Sequence, residues 1–377
     1  MMDFLADTWF VPFLVVLTVL VFVHELGHYL AARYCKVRVE VFSVGFGREL
    51  FGRTDRYGTR WKFSLFPIGG YVKMFGEMQV VQGQESPESR MSEADAAVAF
   101  NTKSLAQRAF IVFAGPLANF LFAVVILTGI FMTIGQPTTP ADVGDVVANS
   151  AAERAGFMPG DVIVEIEGSR IDRFEEVIRA VRLYPGLPLK FQVMRDGRRV
   201  ALTATPDIVD EEGRFGTQRY GRLGIKRTGA DRQLIQHGPV SALLQATHET
   251  YVLTGSIFSA IGQIINGTRD TKELGGPIRI AQMSGDVWKT GLINVLMFAT
   301  VLSINLGLIN LFPVPMLDGG HLLFYAMEAV RGKPIGERAQ EYGMRFGLAM
   351  VLALMVFATW NDLVQLRLVD LFVNLVT

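Results

Sequence analysis

Four long apolar stretches divide the chain, and polar or mixed segments lie between them. They run from Trp9 to Ala32, with His24 and Glu25 inside the run, from Ala109 to Ile134, from Leu292 to about Asn310, and from Phe346 to Trp360. A helix needs about 20 apolar residues to cross the ~30 Å hydrocarbon core of a bilayer, and these stretches reach or approach that length. The pattern therefore predicts a polytopic α-helical membrane protein with four transmembrane helices.

A secretory signal peptide is the alternative interpretation of the first stretch. Such a peptide carries basic residues before its apolar run and a small-residue cleavage site after it. Here Asp3 and Asp7 precede the run, and the His-Glu pair interrupts it. We therefore expect a transmembrane helix at this position.

The distribution of Lys and Arg predicts the orientation of the four helices. No basic residue precedes the first stretch, whereas the loop after it carries Arg33, Lys36, Arg38, Arg48, Arg53, Arg56, Arg60, Lys62 and Lys73, and the loop after the third stretch carries Arg331, Lys333, Arg338 and Arg345. Basic loops stay on the cytoplasmic side of a membrane. Both loops are therefore expected in the cytoplasm, and both chain termini on the outer side.

Residues 137–230 depart from the apolar pattern and predict one inserted α/β domain on the outer side. The expected strands are Val143–Ala148, Asp161–Ile166, Leu189–Arg195 and Val200–Thr205, the expected helices are Ser150–Ala155 and Phe174–Leu183, and the expected turns are Glu167-Gly168 and Asp196-Gly197. About 90 residues is an ordinary size for a single domain. On this division, residues 1–136 and 291–377 form the two halves of a membrane core, and residues 231–290 form a linker.

The segment Leu243–Ile265 within that linker is apolar enough to suggest a fifth span. It contains His248, Glu249 and Gln263, however, and polar groups are costly inside a membrane. We interpret it as a helix at the membrane surface.

The composition agrees with a membrane protein and narrows its chemistry. Half of the residues are hydrophobic, 19% are charged, and the mean hydropathy is +0.32, whereas globular proteins average about 25% charged residues. The 36 basic residues equal the 36 acidic ones, which excludes nucleic acid as an expected partner. Cys35 is the only cysteine, so a metal would have to be held by carboxylates and by the five histidines.

The sequence His24-Glu25-Leu26-Gly27-His28 in the first stretch fits the pattern H-E-x-x-H. Residues four apart lie on one face of a helix, so both imidazoles can bind one zinc ion, and the glutamate can take a proton from a zinc-bound water. The alternative is a polar helix face without a metal. Ionisable groups in a membrane helix are costly, which favours the metal site.

A zinc site needs a third protein ligand, and Asp318 is the only carboxylate between Gly291 and Met327. Pro313 and Pro315 precede it and should interrupt the helix, which could turn a carboxylate inward. The alternatives are a capping role for Asp318 and His321 as the ligand. If Leu243–Ile265 lies at the surface, the third stretch delivers Asp318 to the same leaflet as the two histidines.

Together these motifs resemble those of the intramembrane site-2 protease family, and most closely the bacterial regulator-of-sigma-E protease group. The resemblance covers nearly the whole chain and includes the H-E-x-x-H motif, Gly45-Phe46-Gly47, Gly69–Met74, Ala114–Asn119 and Asn310–His321. It implies a zinc endopeptidase of the bacterial cytoplasmic (inner) membrane that cuts single-span membrane proteins, such as anti-sigma factors or signal-peptide remnants, inside the lipid bilayer.

The resemblance also implies roles for residues outside the metal site. The loop with Gly45, Phe46 and Gly47 resembles a re-entrant β-hairpin, in which Val39–Val44 and Trp61–Leu65 form strands and an edge strand pairs with an extended substrate. An ordinary surface hairpin is the alternative. Asn310 resembles a polar residue that donates to the scissile carbonyl oxygen, and a helix C-cap is its alternative.

The inserted domain resembles a circularly permuted PDZ domain, a peptide-binding module. In this comparison Gly221, Leu223, Gly224 and Ile225 belong to the loop that binds a terminal carboxylate. The enterobacterial form carries two such domains in tandem, whereas this chain has room for one.

Zinc-dependent hydrolysis is the function that these features favour, with Glu25 as the general base. A zinc transporter or sensor would use the same ligands without hydrolysis, but it would need no base at Glu25. A catalytically silent scaffold would need no complete ligand set.

Overall fold

The computed structural model describes residues 9–77, 92–213, 216–227, 233–266 and 275–365. Asp3, Asp7, both chain termini and Glu273–Leu274 lie outside these ranges. The chain divides into two compact units. The first contains residues 1–127, 246–254 and 275–360, and the second contains the remaining residues.

The first part of the chain contains three helices and two long strands. In chain order these are α1 (Phe10–Tyr34), β1 (Val39–Thr54), β2 (Arg60–Met74), α2 (Glu93–Ala96) and α3 (Leu105–Thr133).

The middle part is rich in short strands and contains two helices. In chain order its elements are β3 (Gln136–Thr138), β4 (Asp145–Val146), α4 (Ala151–Ala155), β5 (Val162–Ile166), β6 (Ser169–Arg170), α5 (Phe174–Leu183), β7 (Leu189–Arg195), β8 (Arg198–Ala204), β9 (Asp207–Gly213), β10 (Gly216–Arg222), β11 (Ile225–Lys226) and β12 (Gln233–Ile235). The last part is helical and consists of α6 (Pro239–Ile265), α7 (Pro277–Lys289), α8 (Leu292–Leu311), α9 (Asp318–Arg331) and α10 (Glu337–Gln365).

Among the described residues, four helices are long and apolar enough to cross a membrane, namely α1, α3, α8 and α10. The prediction of four spans is thus confirmed by length and composition. The fourth helix, with 29 residues, is much longer than the predicted stretch Phe346–Trp360. Its first turns contain Arg338, Gln340 and Glu341, which favour a helix although they are polar. Helix α6 covers the predicted Leu243–Ile265 but is not one of the four, so its place at the membrane surface stays a prediction.

Helices α1 and α3 approach each other closely at Gly27. A Cβ atom on Gly27 would overlap the carbonyl oxygen of Ala114 and would lie 2.7 Å from Cβ of Ala118. Small residues allow such backbone contact between membrane helices, where lipid supplies no hydrophobic driving force for association. On α8, Ser303 Oγ donates to the carbonyl oxygen of Asn119 at 2.9 Å, so both α1 and α8 pack against α3.

Helix α7 packs closely against another helix through small residues. Its buried residues Ala281, Ser284 and Gly285 are small. A Cβ on Gly285 would lie 2.7 Å from Cα of Trp9. Residues 277–289 therefore pack against the beginning of α1.

Strands β1 and β2 fold back on themselves and form a sheet of four segments. Phe42 in the first half of β1 pairs on one side with Val72 and on the other with Trp61, while Arg53 in the second half also pairs with Trp61. The order of the segments across the sheet is thus 70–74, 39–44, 60–63 and 51–54. The two predicted strands do pair, but they form the inner half of a larger sheet.

The bend in β1 lies at Gly45 and Gly47. Their φ angles of +92° and +87° are in the region that favours glycine. The matching part of β2 runs beside α1, where Thr18 Oγ1 donates to the carbonyl oxygen of Pro67 at 3.4 Å. Further along, a Cβ on Gly70 would lie 2.9 Å from Val21 and 3.2 Å from Cγ of Glu25. The sheet is therefore positioned next to the H-E-x-x-H residues.

The second unit contains an antiparallel sheet with the order β6-β5-β7-β8. Its core joins Ile163, Phe191 and Val193 of the sheet to Val177 and Val181 of α5. Asp161 accepts hydrogen bonds from Arg195 at 2.7 Å. Burial alone would raise the pKa of Asp161, but these bonds, the Met158 N–H and the charge of Arg195 outweigh burial and lower it below its ordinary value.

One strand prediction for this unit was inaccurate, and two strands were not predicted. The segment Val143–Ala148 forms only the two-residue strand β4, which pairs with β11. Strands β9 and β10 pair along their whole length, but β9 is rich in acidic residues and β10 contains two glycines and two arginines, so neither has the composition typical of a strand. Both predicted turns form, because Glu167, Gly168, Asp196 and Gly197 all have positive φ.

Candidate metal centre

Two helices bring three potential metal ligands together. His24 and His28 are one turn apart on α1, and Asp318 is the first residue of α9. Helix α8 ends at Leu311, and residues 312–317, which include both prolines, are not helical. This break returns the chain toward α1 before α9 begins. The predicted interruption of the helix is thus present and determines where Asp318 lies.

The potential ligand atoms surround one point. The distance from Nε2 of His24 to Oδ2 of Asp318 is 3.1 Å, from Nε2 of His28 to Oδ1 of Asp318 it is 3.5 Å, and between the two Nε2 atoms it is 3.2 Å. The His24 and His28 residues are 8% and 9% exposed. Within the part of the chain that the structure describes, these three residues form the one group of His, Cys, Asp or Glu with ligand atoms within 4.8 Å of one another.

The environment of these atoms fits a bound cation. The buried Oδ2 atom of Asp318 lies 3.1 Å from Nε2 of His24 but makes no well-directed hydrogen bond, and a cation held between the two atoms would satisfy the lone pairs of both. Two imidazoles and a carboxylate are the ligand set of many catalytic zinc sites, which leave a fourth position for water. His321 does not join the cluster, and the N-cap of α9 is Leu317. The geometry thus supports neither a capping role for Asp318 nor His321 as the third ligand.

The second nitrogen of each histidine contacts α3. Nδ1 of His28 lies 2.9 Å from the carbonyl oxygen of Ile111. A carbonyl can only accept, so this Nδ1 carries a proton, and in the neutral ring Nε2 then keeps its lone pair for a metal. Nδ1 of His24 lies 3.1 Å from the side-chain amide of Asn119. Contacts of this kind orient metal-binding histidines.

Glu25 lies between the two histidines in sequence and contacts the sheet. Its Cγ is next to Gly70, as described above, and its carboxylate interacts with the backbone N–H of Val72. It also lies within electrostatic reach of His24, His28 and Asp318. A carboxylate at this position can exchange a proton with a molecule bound at the cluster.

Asn310 is in the last turn of α8, and its amide nitrogen lies 3.5 Å from Nε2 of His24. The C-cap of this helix is Phe312 rather than Asn310. The side chain therefore faces the cluster, where its N–H groups can donate to an oxygen atom of a ligand.

The predicted substrate-binding residues of the sheet lie one layer away from the cluster. Phe46 is half-exposed, and its ring packs over Gly69 and stacks 6.1 Å from the ring of Tyr71. Gly69 and Tyr71 flank Gly70, which touches Glu25. Gly45, Phe46 and Gly47 are thus connected to the cluster through β2.

The predicted carboxylate loop belongs to the second unit. Gly221 packs closely on the carbonyl oxygen of Val181 at the end of α5, and Gly224 has a φ of +84° beside Ser150. The carbonyl oxygens of Leu223 and Gly224 accept bonds from Ala152 and Val147, and Ile225 pairs with Val146. The loop is well packed, and its peptide-binding role stays a prediction.

The sequence analysis assigned no role to two residues that shape the cluster. Asn119 is completely buried on α3, and a Cβ on Gly115 would overlap the ring of His28. Both belong to the motif Ala114–Asn119. The available signal was Asn119 itself, because a polar side chain inside a predicted transmembrane helix usually has a function.

Comparisons with known proteins agree with this geometry. The model of Peptidase family M50 matches residues 12–354. The chain is 44% identical to "Putative zinc metalloprotease Atu1380" of Agrobacterium fabrum, over 95% of this chain and 96% of that protein. It is 38% identical to metalloprotease MmpA of Caulobacter vibrioides, over 94% of both chains.

A third relative is longer than this chain. Regulator of sigma-E protease RseP of Salmonella typhimurium is 34% identical, over 94% of this chain and 98% of that protein. The alignment extends over 449 positions, whereas this chain has 377 residues. RseP therefore carries more than 70 residues that have no counterpart here, which is close to the size of a small domain.

Replacing Gly115 by Ala should displace His28 and reduce metal binding, because the new methyl group would occupy the space of the imidazole. We expect the purified Gly115→Ala protein to contain much less zinc than the wild type, as measured by atomic emission. Gly129→Ala on the same helix is the matched control, since nothing lies within 4 Å of a Cβ there. A full zinc content in Gly115→Ala would contradict the described position of His28.

Proposed function

Because the chain belongs to peptidase family M50, the site-2 proteases, and is a multi-pass zinc metalloprotease, we propose that it cleaves single-span membrane proteins inside the lipid bilayer. The observation that carries this proposal is the location of the cluster. His24 and His28 are on an apolar helix long enough to cross a membrane, so a peptide bond that reaches them must itself enter the membrane. In this proposal the cleavage is the intramembrane step of regulated intramembrane proteolysis.

We assign His24, His28 and Asp318 as the zinc ligands. The convergence of their ligand atoms supports this assignment, and so does the buried Oδ2 atom of Asp318, which makes no well-directed hydrogen bond. When bound there, zinc supplies a Lewis acid that polarises the scissile carbonyl and activates a water molecule.

Glu25 is the general base in this proposal. Its carboxylate takes a proton from the attacking water and later gives it to the amine of the leaving peptide. Asn310 donates its amide N–H to the carbonyl oxygen of the scissile bond as negative charge develops there. The proximity of both side chains to His24 supports these roles.

The segment 70–74 at the edge of the sheet is the proposed docking strand for the substrate. Residues two apart in a strand direct their N–H groups to the same edge, and those of Val72 and Met74 point away from β1. The N–H of Val72 faces Glu25. An extended peptide that adds to this edge would therefore run past the general base, and Phe46, which packs over Gly69, would line its path. A helical substrate must unwind locally before it can bind in this way.

The first prediction separates chemistry from metal binding. Glu25→Gln should retain zinc and slow cleavage of a single-span substrate by about 10² or more, since an amide cannot accept the proton. His24→Ala and Asp318→Asn should also lose zinc affinity. Glu341→Gln is a matched control, because Glu341 pairs with Arg345 one turn further along α10 and has no catalytic role here. Wild-type cleavage by purified Glu25→Gln would disprove the mechanism.

The distribution of basic residues supports a location in the bacterial cytoplasmic (inner) membrane, with both termini and residues 137–230 on the outer side. A membrane-impermeant thiol reagent tests this orientation in intact cells. In a Cys35→Ala background, we expect labelling of Arg198→Cys but not of Arg56→Cys or Lys333→Cys, three exposed positions. All three should react after the cells are opened. The reverse pattern would overturn the orientation.

We further propose that residues 137–230 form a PDZ domain that acts as a size filter. The region is inserted between the second span and α6, where a bulky outer domain of a substrate would collide with it. A filter selects by rejecting large substrates. The alternative is recruitment, in which the loop Gly221–Ile225 binds a newly exposed C-terminus.

Replacing Ala141–Thr228 by a short Gly/Ser linker distinguishes the two roles. If the domain is a filter, substrates with an intact outer domain are newly cleaved, while trimmed substrates are cleaved about as before. If it recruits, trimmed substrates lose cleavage and intact ones stay uncut. The second result, obtained with a variant of normal zinc content, would disprove the filter.

A further inference from the structure

Asn119 is a fully buried polar residue near the middle of the apolar helix α3. The structure places its amide nitrogen 3.1 Å from Nδ1 of His24, and its Oδ1 atom has no hydrogen-bond partner. Helix α8 closes around it, because Ser303 bonds its backbone oxygen and a Cβ on Gly307 would lie 3.2 Å from its Cβ. The side chain is thus confined next to His24, and its polar atoms need an explanation.

The amide can present either of two faces to His24, since a half-turn exchanges its nitrogen and oxygen atoms. If the nitrogen faces the ring, it donates to Nδ1, and a neutral His24 must carry its proton on Nε2. That proton would point into the cluster and would prevent Nε2 from binding a metal.

If the oxygen faces the ring instead, it accepts a hydrogen bond from Nδ1–H. The buried oxygen then has a partner, and Nε2 of His24 keeps its lone pair. This is the proton arrangement that Ile111 imposes on a neutral His28, because the acceptor there is a backbone carbonyl. With the Asn119 oxygen facing His24, both neutral histidines therefore carry the proton on Nδ1 and leave Nε2 free.

We propose that Asn119 is a positioning residue that accepts the Nδ1–H of His24 through its side-chain oxygen, and so keeps Nε2 available to zinc. The proposal rests on the assignment of His24 as a ligand. It identifies α3 as the element that orients both imidazoles, one through a main-chain carbonyl and the other through an amide. Removing such a partner typically weakens metal binding by about 10- to 100-fold.

Two substitutions of similar size test the direction of the hydrogen bond. Asn119→Asp keeps an acceptor, whereas Asn119→Leu removes the polar group. Zinc dissociation constants are measured for the full-length protein in lipid nanodiscs by competition with a chelator. We expect the Leu variant to bind zinc about 10- to 100-fold more weakly than the wild type, and the Asp variant to bind it at least as tightly as the wild type.

Three outcomes are decisive. If the Asp and Leu variants lose the same affinity, the amide acts as a donor and the proposal is wrong. If the Leu variant binds zinc like the wild type, Asn119 does not position His24. If His24→Ala itself retains zinc affinity, then the assignment of the ligands fails rather than the role of Asn119.

A spectroscopic measurement keeps the test valid if the Leu variant does not fold. In zinc-free Asp318→Ala protein with ¹⁵N-labelled histidine, at a pH where the rings are neutral, we expect the proton of His24 on Nδ1, because this variant removes the carboxylate that lies 3.1 Å from Nε2. When Asn119→Leu is added, the proton should redistribute to Nε2, while His28, bonded to Ile111, stays unchanged as an internal control. A His24 proton on Nε2 in the Asp318→Ala protein would overturn the proposal even if the Leu variant does not fold.

Discussion

The close backbone contact between α1 and α3 is the constraint on which the cluster depends. Gly27 lies against Ala114, and Gly115 leaves the space that the ring of His28 fills. Because the helices touch at this point, a main-chain carbonyl and an amide of α3 reach the histidines of α1. A side chain at either glycine would separate the helices and remove both hydrogen-bond partners together. The orientation of both histidines thus depends on how the two helices pack.

The break between α8 and α9 is stabilised in a different way. Non-helical backbone inside a membrane must be surrounded by protein. Here glycines allow neighbouring backbone to pack directly against the break. Side chains at Gly319 and Gly320 would overlap the carbonyl oxygens of residues 311, 312 and 314, and one at Gly347 of α10 would overlap that of Pro315. Met316 adopts a positive φ of 89° within the break. The position of Asp318 therefore depends on a tightly enclosed turn, not on a regular helix.

The sequence was sufficient to predict those features that depend on apolar length or on a simple helical spacing. Apolar length predicted the four spans, and helical spacing brought His24 and His28 to one face. It was insufficient where pairing depends on distant segments. The folding of β1 across two parts of β2 depends on bends at Gly45 and Gly47, and no local pattern distinguishes it from a plain hairpin. Likewise, nothing in the composition of α3 shows that Asn119 meets His24, which is 95 residues away.

The free edge of the segment 70–74, on the side away from β1, is hydrogen-bonded to side chains of the same protein. The N–H of Met74 donates to Glu77 at 3.2 Å, and that of Val72 faces Glu25. An open strand edge is liable to aggregate. At this edge the carboxylates of Glu25 and Glu77 accept the backbone hydrogen bonds instead. In the proposed docking, an incoming peptide would exchange hydrogen bonds instead of adding them, so its net gain from pairing would be small. Weak pairing of this kind would favour rapid release of the products.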